Sequence, residues 1–285
     1  MVKDKKSKSK IIRIAVFVLG FVLCSYPLFS GIMEGYTQRN AVSTYNSSVE
    51  KLDEDKIKEA LKDAEKYNSL LYQTMGALVG NSGEVLNHEN YEKLLNVTGT
   101  GVMGTIEIPK INVDLPIYHG TSDEVLSRGV GHVEETSLPV GGKNTRSVIT
   151  GHRGLPTSKL FTRLDELKKG DLFYIRVCGQ TLAYQINDIQ EIKPEEVDKL
   201  EIEPDQDLVS LITCTPYGIN THRLVVTGER VDYSEAEHNM IEGKMMSLRE
   251  IFFTAIPFVF LIYAVYQFLK VRKEKKAKNE NKTEI

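Results

Sequence analysis

Two residues nine positions apart carry the chemistry that is easiest to read from this chain. Cys214 closes the apolar run Leu208-Val-Ser-Leu-Ile-Thr-Cys214, and Arg223 opens a second run, Leu224-Val-Val-Thr-Gly228. A free thiol with a pKa of about 8.5 is mostly protonated at neutral pH, and a permanent cation beside it stabilises the thiolate. The same guanidinium can later hold the oxyanion of an acyl intermediate. If the two runs form antiparallel strands, Arg223 returns to Cys214 across a loop holding Pro216 and Gly218. Strand neighbours point to opposite faces, so His222 does not share the face of Arg223.

A cysteine nucleophile needs a proton carrier. Of His88, His119, His132, His152, His222 and His238, His152 has the best context: it ends the run Val148-Ile-Thr-Gly-His152, with Gly151 and Gly154 around it. Little blocks an imidazole placed there. His119 and His132 read as local loop hydrogen-bonders, and Arg153 as a surface or substrate-entry residue. The pattern implies acyl transfer, with Cys214 as nucleophile, His152 as acid and base, and Arg223 as clamp. Thr213 and Thr215 flank the thiol as oxyanion or substrate contacts, the backbone N–H of Thr215 above all. Two readings compete. A hydrolytic peptidase would pair its histidine with Asn or Asp, and a non-catalytic exported module would keep Cys214 as a buried hydrophobe. No pair of Cys or His has C-x-x-C or H-x-x-x-H spacing, so neither a metal nor another cofactor is expected.

The elements that must position these residues are short. Runs rich in β-branched and aromatic residues cover 105–108, 113–118, 147–151, 172–177, 181–192, 208–213 and 224–231, separated by Pro109, Gly120, Gly141-Gly142, Gly179 and Pro204. This predicts a mainly β domain, a sandwich or a barrel. Short helices are expected over 122–128, capped by Ser122, and over 158–167 and 194–200. Before the strands, Ile57, Ala60, Leu61, Ala64, Tyr67 and Leu71 recur every three or four residues, which predicts an amphipathic helix over 53–71. A Gly-rich loop follows over 72–101, with a short helix around 90–95.

The ends of the 285-residue chain set its compartment. Residues 11–33 and 251–269 are apolar, and basic segments flank them at 1–10 and 270–285. Each apolar run is long enough for a transmembrane helix, and the positive-inside bias puts both termini in the cytoplasm and the middle outside. Leu23 precedes Cys24, so a lipoprotein attachment signal is not expected there. Residues 14–269 hold 23 Lys/Arg against 35 Asp/Glu, a net charge of −12. An acidic middle argues against nucleic acid as partner, and the basic tails suit an anionic lipid bilayer. Cys178 and Cys214 could pair only if their strands are neighbours.

Thr213-Cys214 at the end of an apolar strand, Arg223 nine residues on and Thr150-Gly-His152 upstream resemble the sortase signature. Gly104-Thr-Ile-Glu-Ile-Pro-Lys-Ile, Pro116-Ile-Tyr-His-Gly120, Gly151-His-Arg-Gly-Leu-Pro156 and Thr213-Cys-Thr-Pro-Tyr-Gly218 resemble class C, the pilus-assembling branch of Gram-positive bacteria. The resemblance implies an eight-stranded sortase β-barrel over 103–232, a helical and lid-like region over 34–102 and a spacer over 233–250. It implies cleavage of LPXTG-like sorting signals, carried by pilin or surface proteins, between Thr and Gly. The acyl group would then pass to a lysine amine of a pilin subunit; anchoring to a cell-wall precursor is the alternative acceptor. Many class C enzymes also carry a lid with an Asp-Pro-aromatic tripeptide. Residues 72–95 contain none, leaving Tyr72 and Met75 as lid candidates and autoinhibition open.

Overall fold

Alternation of buried side chains explains the barrel. In β7, Asp207–Thr215, the residues Val209 and Leu211 point into the central core, while Ser210 and Ile212 point outward and are buried as well. A strand covered on both faces reads as a continuous apolar run, as this one does. The computed structural model describes residues 2–75, 91–154, 160–243, 251–252, 254–266 and 269–270. Two units make up the chain, one of residues 1–32 with 246–285 and one of residues 33–245.

The larger unit is a closed barrel of eight strands. These are β1 Val102–Ile108, β2 Val113–His119, β3 Val130–His132, β4 Thr145–Thr150, β5 Leu172–Val177, β6 Gln180–Ile192, β7 and β8 His222–Val231. They close in the order β1-β2-β3-β4-β7-β8-β6-β5, with parallel pairing only at β2–β3 and β4–β7. Seven of these strands follow from the sequence pattern. The eighth, β3, is three residues long, too short to show a period. Its Gly131 lies so close to Gly120 that an added Cβ would clash with the Gly120 carbonyl oxygen. Phe161, Phe173, Ile175, Tyr184, Val209, Leu211 and Val226 fill the interior.

Helix α1 is Val2–Val49 and α2 is Glu54–Met75. From residue 33 onward α1 buries Gln38, Val42, Tyr45 and Val49, spaced three or four apart along one face. This face explains why α1 outruns the apolar segment 11–33. The Tyr45 hydroxyl donates to the Met103 carbonyl (3.1 Å) and accepts from the Cys178 N–H (3.1 Å). Helix α2 packs Ile57, Ala60, Leu61, Ala64 and Tyr67 on the core, as its periodicity predicts. Asn68 acts there like a strand edge, accepting from the Leu138 N–H at 2.7 Å and donating to the Leu138 carbonyl at 3.1 Å.

The short inserts differ in detail from expectation. Helix α3, Asp123–Arg128, forms with Ser122 as its N-cap, as expected. Of the helix expected over 158–167, residues 158–159 lie outside the described residues, and the described part forms a 3-10 turn at Leu164–Glu166, because Leu160 takes a positive φ of 26° and the Phe161 N–H bonds back to the His152 carbonyl. Over 194–200 a single 3-10 turn, Val197–Leu200, replaces the expected helix. Of the loop expected over 72–101, residues 76–90, which include the first residue of the helix expected at 90–95, lie outside the described residues, and 91–95 forms turns apart from one helical residue. Helix α4, Glu235–Met240, lies within the expected spacer, of which 244–250 is outside the described residues.

In the smaller unit, α1 from Val16 onward is long and apolar enough to cross a membrane. A shorter apolar helix, α5, covers Thr254–Tyr266, and its Phe260 ring stacks on Phe17 with centroids 4.6 Å apart. The basic tail expected over 270–285 lies outside the described residues after Lys270.

His132 on β3 is fully buried. The Ser137 carbonyl can only accept, so Nε2–H donates to it (2.8 Å); burial favours the neutral ring, whose Nδ1 lies 2.8 Å from the Tyr91 hydroxyl. Burial pushes its pKa down to about 4 from 6.5, against the pull of the Ser137 carbonyl. Between those values the unfolded chain takes up a proton that the folded chain refuses, so stability falls as pH drops from 6.5 toward 4. The loss amounts to at most about 3 kcal/mol. Urea unfolding of the protein at pH 7 and pH 5 is expected to show this loss, and a His132→Gln variant, less stable at pH 7, is expected to show a shallower pH slope.

Candidate active site

Cys214 is the last residue but one of β7, and the strand runs two residues beyond the run expected over 208–213. Its position follows from the two partners of β7. Toward β8 the antiparallel register sets Cys214 opposite Arg223 and Thr215 opposite His222. Arg223 therefore shares the face of Cys214, and His222 does not. Toward β4 the parallel register ends at Thr150 opposite Ile212. Continuing it by two residues brings His152 level with the cysteine.

The turn that carries His152 is tied down from several sides. The Gly151 N–H donates to the Ile212 carbonyl (3.1 Å), and the Thr213 hydroxyl donates to the Gly151 carbonyl (2.7 Å). The Phe161 ring and Val130 lie so close to Gly151 that a Cβ there would stand 3.0 Å from both. Gly154 has φ +82° and lies under the Tyr217 ring, where a Cβ would also meet atoms at 3.0 Å. A side chain is disfavoured there by backbone and by space.

His152, Cys214 and Arg223 line one cleft of about 370 Å³. Leu126, Val133, Ile192, Pro194, Leu200 and Ile212 form its apolar wall, with Thr121, Thr150 and Gly151 completing it. All three polar residues are half-buried, so solvent and substrate reach them. Arg223 Nη1 donates to the carbonyls of Asn220 (3.2 Å) and His222 (3.1 Å), which fixes the guanidinium at the start of β8. Its Nε and Nη2 donors have no partner among the described residues.

Other expected contacts fall elsewhere. Thr213 and Thr215 are buried at 1% and 4% exposure, and neither lines the cleft. By alternation both face the opposite side of β7 from Cys214, so their side chains hold the site from behind. Tyr72 and Met75, expected in a lid, belong to the last turn of α2, and Tyr72 does not line the cleft. Residues 76–90 of the expected lid lie outside the described residues. His119 and His132, expected to make local loop hydrogen bonds, lie on strands and reach distant segments: His119 Nε2 is 2.7 Å from the Leu94 carbonyl oxygen, and His132 meets Tyr91 as well as the nearby Ser137. Cys24, Cys178 and Cys214 are free thiols; Cys178 follows β5, which does not neighbour β7. No cluster of metal-ligating residues occurs among the described residues.

Arg153 corrects the sequence reading most clearly. Expected at the surface, it is 8% exposed. Its Nη1 donates to Thr215 Oγ1 (3.1 Å) and lies 3.4 Å from the Cys214 carbonyl oxygen, while Nη2 pairs with the Asp165 carboxylate. The only trace of this in the sequence is a cation next to His152, and nothing local reveals that it turns inward. The apolar wall was also missed, because it gathers residues from four separate segments.

Comparison with known proteins agrees with this geometry. Residues 106–231 match the family described as Sortase domain. The chain is similar to sortase C1 of GBS Pilus Island 1, at 41% identity and a TM-score of 0.61, over 70% of this chain and 94% of that one. It is similar to Clostridium perfringens sortase C, solved with the C-terminal cell wall sorting motif, at 44% identity and a TM-score of 0.59, over 68% of this chain and 99% of that one. Sortase A of Bacillus anthracis is 28% identical over 230 residues, 80% of this chain and 97% of that protein. The chain belongs to the sortase family of cysteine transpeptidases, in its class C branch.

A methyl group at Gly151 has no room, since Phe161 and Val130 are both fully buried. Gly151→Ala is expected to lower stability by about 1–3 kcal/mol. It is also expected to reduce turnover with little change in KM, because it moves the His152 turn and leaves the apolar wall intact. Thermal unfolding and peptide-cleavage kinetics check both effects.

Proposed function

We propose that this sortase polymerises pilins. The reading rests on one observation: the β7–β8 register sets Cys214 against Arg223 in the cleft that His152 also lines. Cys214 thiolate attacks the carbonyl carbon between Thr and Gly of an LPXTG-like sorting signal. The negative charge that develops on the carbonyl oxygen faces the unpaired Nε and Nη2 donors of Arg223, which serve as the oxyanion clamp. The C–N bond breaks as protonated His152 gives its proton to the departing glycine amine, leaving a thioester on Cys214. A lysine amine of the next pilin then attacks the thioester. His152 takes the amine proton, the thiolate leaves, and a new amide bond is released. The apolar wall of Ile192, Pro194 and Leu200 suits the Leu-Pro portion of such a signal and keeps water from competing with the amine.

The pilin acceptor draws support from the similarity to a sortase C1 of a pilus island. The proposed setting is a membrane-held enzyme with spans at 11–33 and 251–269, both basic tails cytoplasmic and the barrel outside. The stacking of Phe17 on Phe260 between two apolar helices supports the second span.

Intact mass of the full-length chain in detergent, incubated with a sorting-signal peptide, is expected to rise by the acyl fragment. Cys214→Ala should show no adduct. Arg223→Lys should lose about a hundredfold in turnover, because a point charge does not reproduce the planar fork. With a pilin bearing both signal and acceptor lysine, wild type is expected to produce a ladder of covalent multimers. Adduct without a ladder would move the acceptor to a cell-wall amine, and no adduct with any signal would sink the reading.

A further inference from the structure

Arg153 is an expensive residue to bury. Its side chain is 4% exposed, its Asp165 partner is 29% exposed, and its Nε has no hydrogen-bond partner among the described residues. A buried ion pair is a weak stabiliser, and an unsatisfied buried donor subtracts further. What the guanidinium holds is more informative than what it stabilises. Covalently it is the next residue after His152. Through Nη1 it reaches the next residue after Cys214, at the Thr215 hydroxyl, and the carbonyl of Cys214 itself. Asp165, on the 3-10 turn Leu164–Glu166, holds the other side of the fork. The Tyr217 ring lies over the guanidinium, with its centroid 6.0 Å from Cζ.

β4 and β7 have stopped pairing by this point, since their ladder ends at Thr150 and Ile212. Beyond it, the Thr213 hydroxyl and Arg153 bridge the two segments by hydrogen bonds, and the Tyr217 ring packs across them over Gly154 and the guanidinium. We propose that Arg153 is a positioning residue that sets the spacing of thiol and imidazole, with Asp165 as the anchor that fixes its fork. The planar guanidinium suits this work, because one rigid group can bond three partners in different directions. It touches neither substrate nor reacting atoms, so it acts through Cys214 and His152. The proposal rests on the reading of those two residues as nucleophile and acid/base.

The test is steady-state kinetics of the full-length chain in detergent with a sorting-signal peptide, expressed per titratable Cys214 thiol in protein shown to be folded by circular dichroism. Arg153→Met is expected to lower kcat by about a hundredfold, with KM near the wild-type value, since misplacement of reacting groups by about 1 Å has that effect. Arg153→Lys keeps a cation for Asp165 but not the fork, and is expected to recover only a minor part of the lost kcat. Thr215→Val removes one acceptor, and its loss should be less than additive with that of Arg153→Met. Wild-type kcat in Arg153→Lys, a loss carried by KM, or full additivity would each overturn the proposal. If Arg153→Met does not fold, Arg153→Lys and Thr215→Val decide alone. Absence of a Cys214 adduct in the wild type would instead defeat the nucleophile reading and this proposal with it, whereas a normal wild-type adduct with unaffected variants defeats the proposal only.

Discussion

β7 is paired on both edges and covered on both faces, and its register is the constraint on which the site depends. Side chains alternate along a strand, so a slip of one residue would bring Thr213 or Thr215 to the outer face and turn Cys214 toward the core. Val209 and Leu211 resist such a slip from inside, where they pack in the central core. Ile212 resists it from outside, against Val148, Ile192 and Val225. Each buried aliphatic side chain contributes about 1.5–3 kcal/mol, so exchanging the faces is prohibitive. Polar contacts agree with the same register, with the Ser210 and Thr227 hydroxyls 3.1 Å apart.

The cleft lies on the outer wall of the barrel because something covers that wall. β6 continues past the end of β5 while still paired to β8, and delivers Ile192 beside Arg223. The connection from β6 to β7 then crosses the wall and supplies Pro194 and Leu200. Arg146 on β4 pins its far end, bonding Ser210 Oγ at 3.2 Å and pairing with Glu203. The groove is thus tied at the Arg146 end and open at the Cys214 end, where the chemistry has to occur.

Buried cations serve opposite purposes at the two ends of this wall. Arg146 closes a cover, whereas Arg153 connects two backbones whose ladder has already ended. Arg223, half-buried at the start of β8, keeps donors available for a substrate. Three arginines of one chemistry therefore differ in role only through what burial leaves exposed.

The sequence by itself determined the barrel strands with a visible period, the amphipathic α2, the apolar ends, and the pairing of Cys214 with Arg223 across a tight loop. These are local facts: alternation, helical spacing and loop length leave marks within about ten residues. The resemblance of its motifs to sortases then supplied the count of eight strands, where the periodicity showed seven. Only the tertiary structure decided that β3 exists, that Arg153 turns inward to Thr215 and Asp165, that Thr213 supports the His152 turn, and which distant segments wall the cleft. Each of these joins residues far apart in the chain, and their order in sequence carries no record of that meeting. A short strand, a buried cation and a composite wall are products of packing, and packing is settled only when the barrel closes.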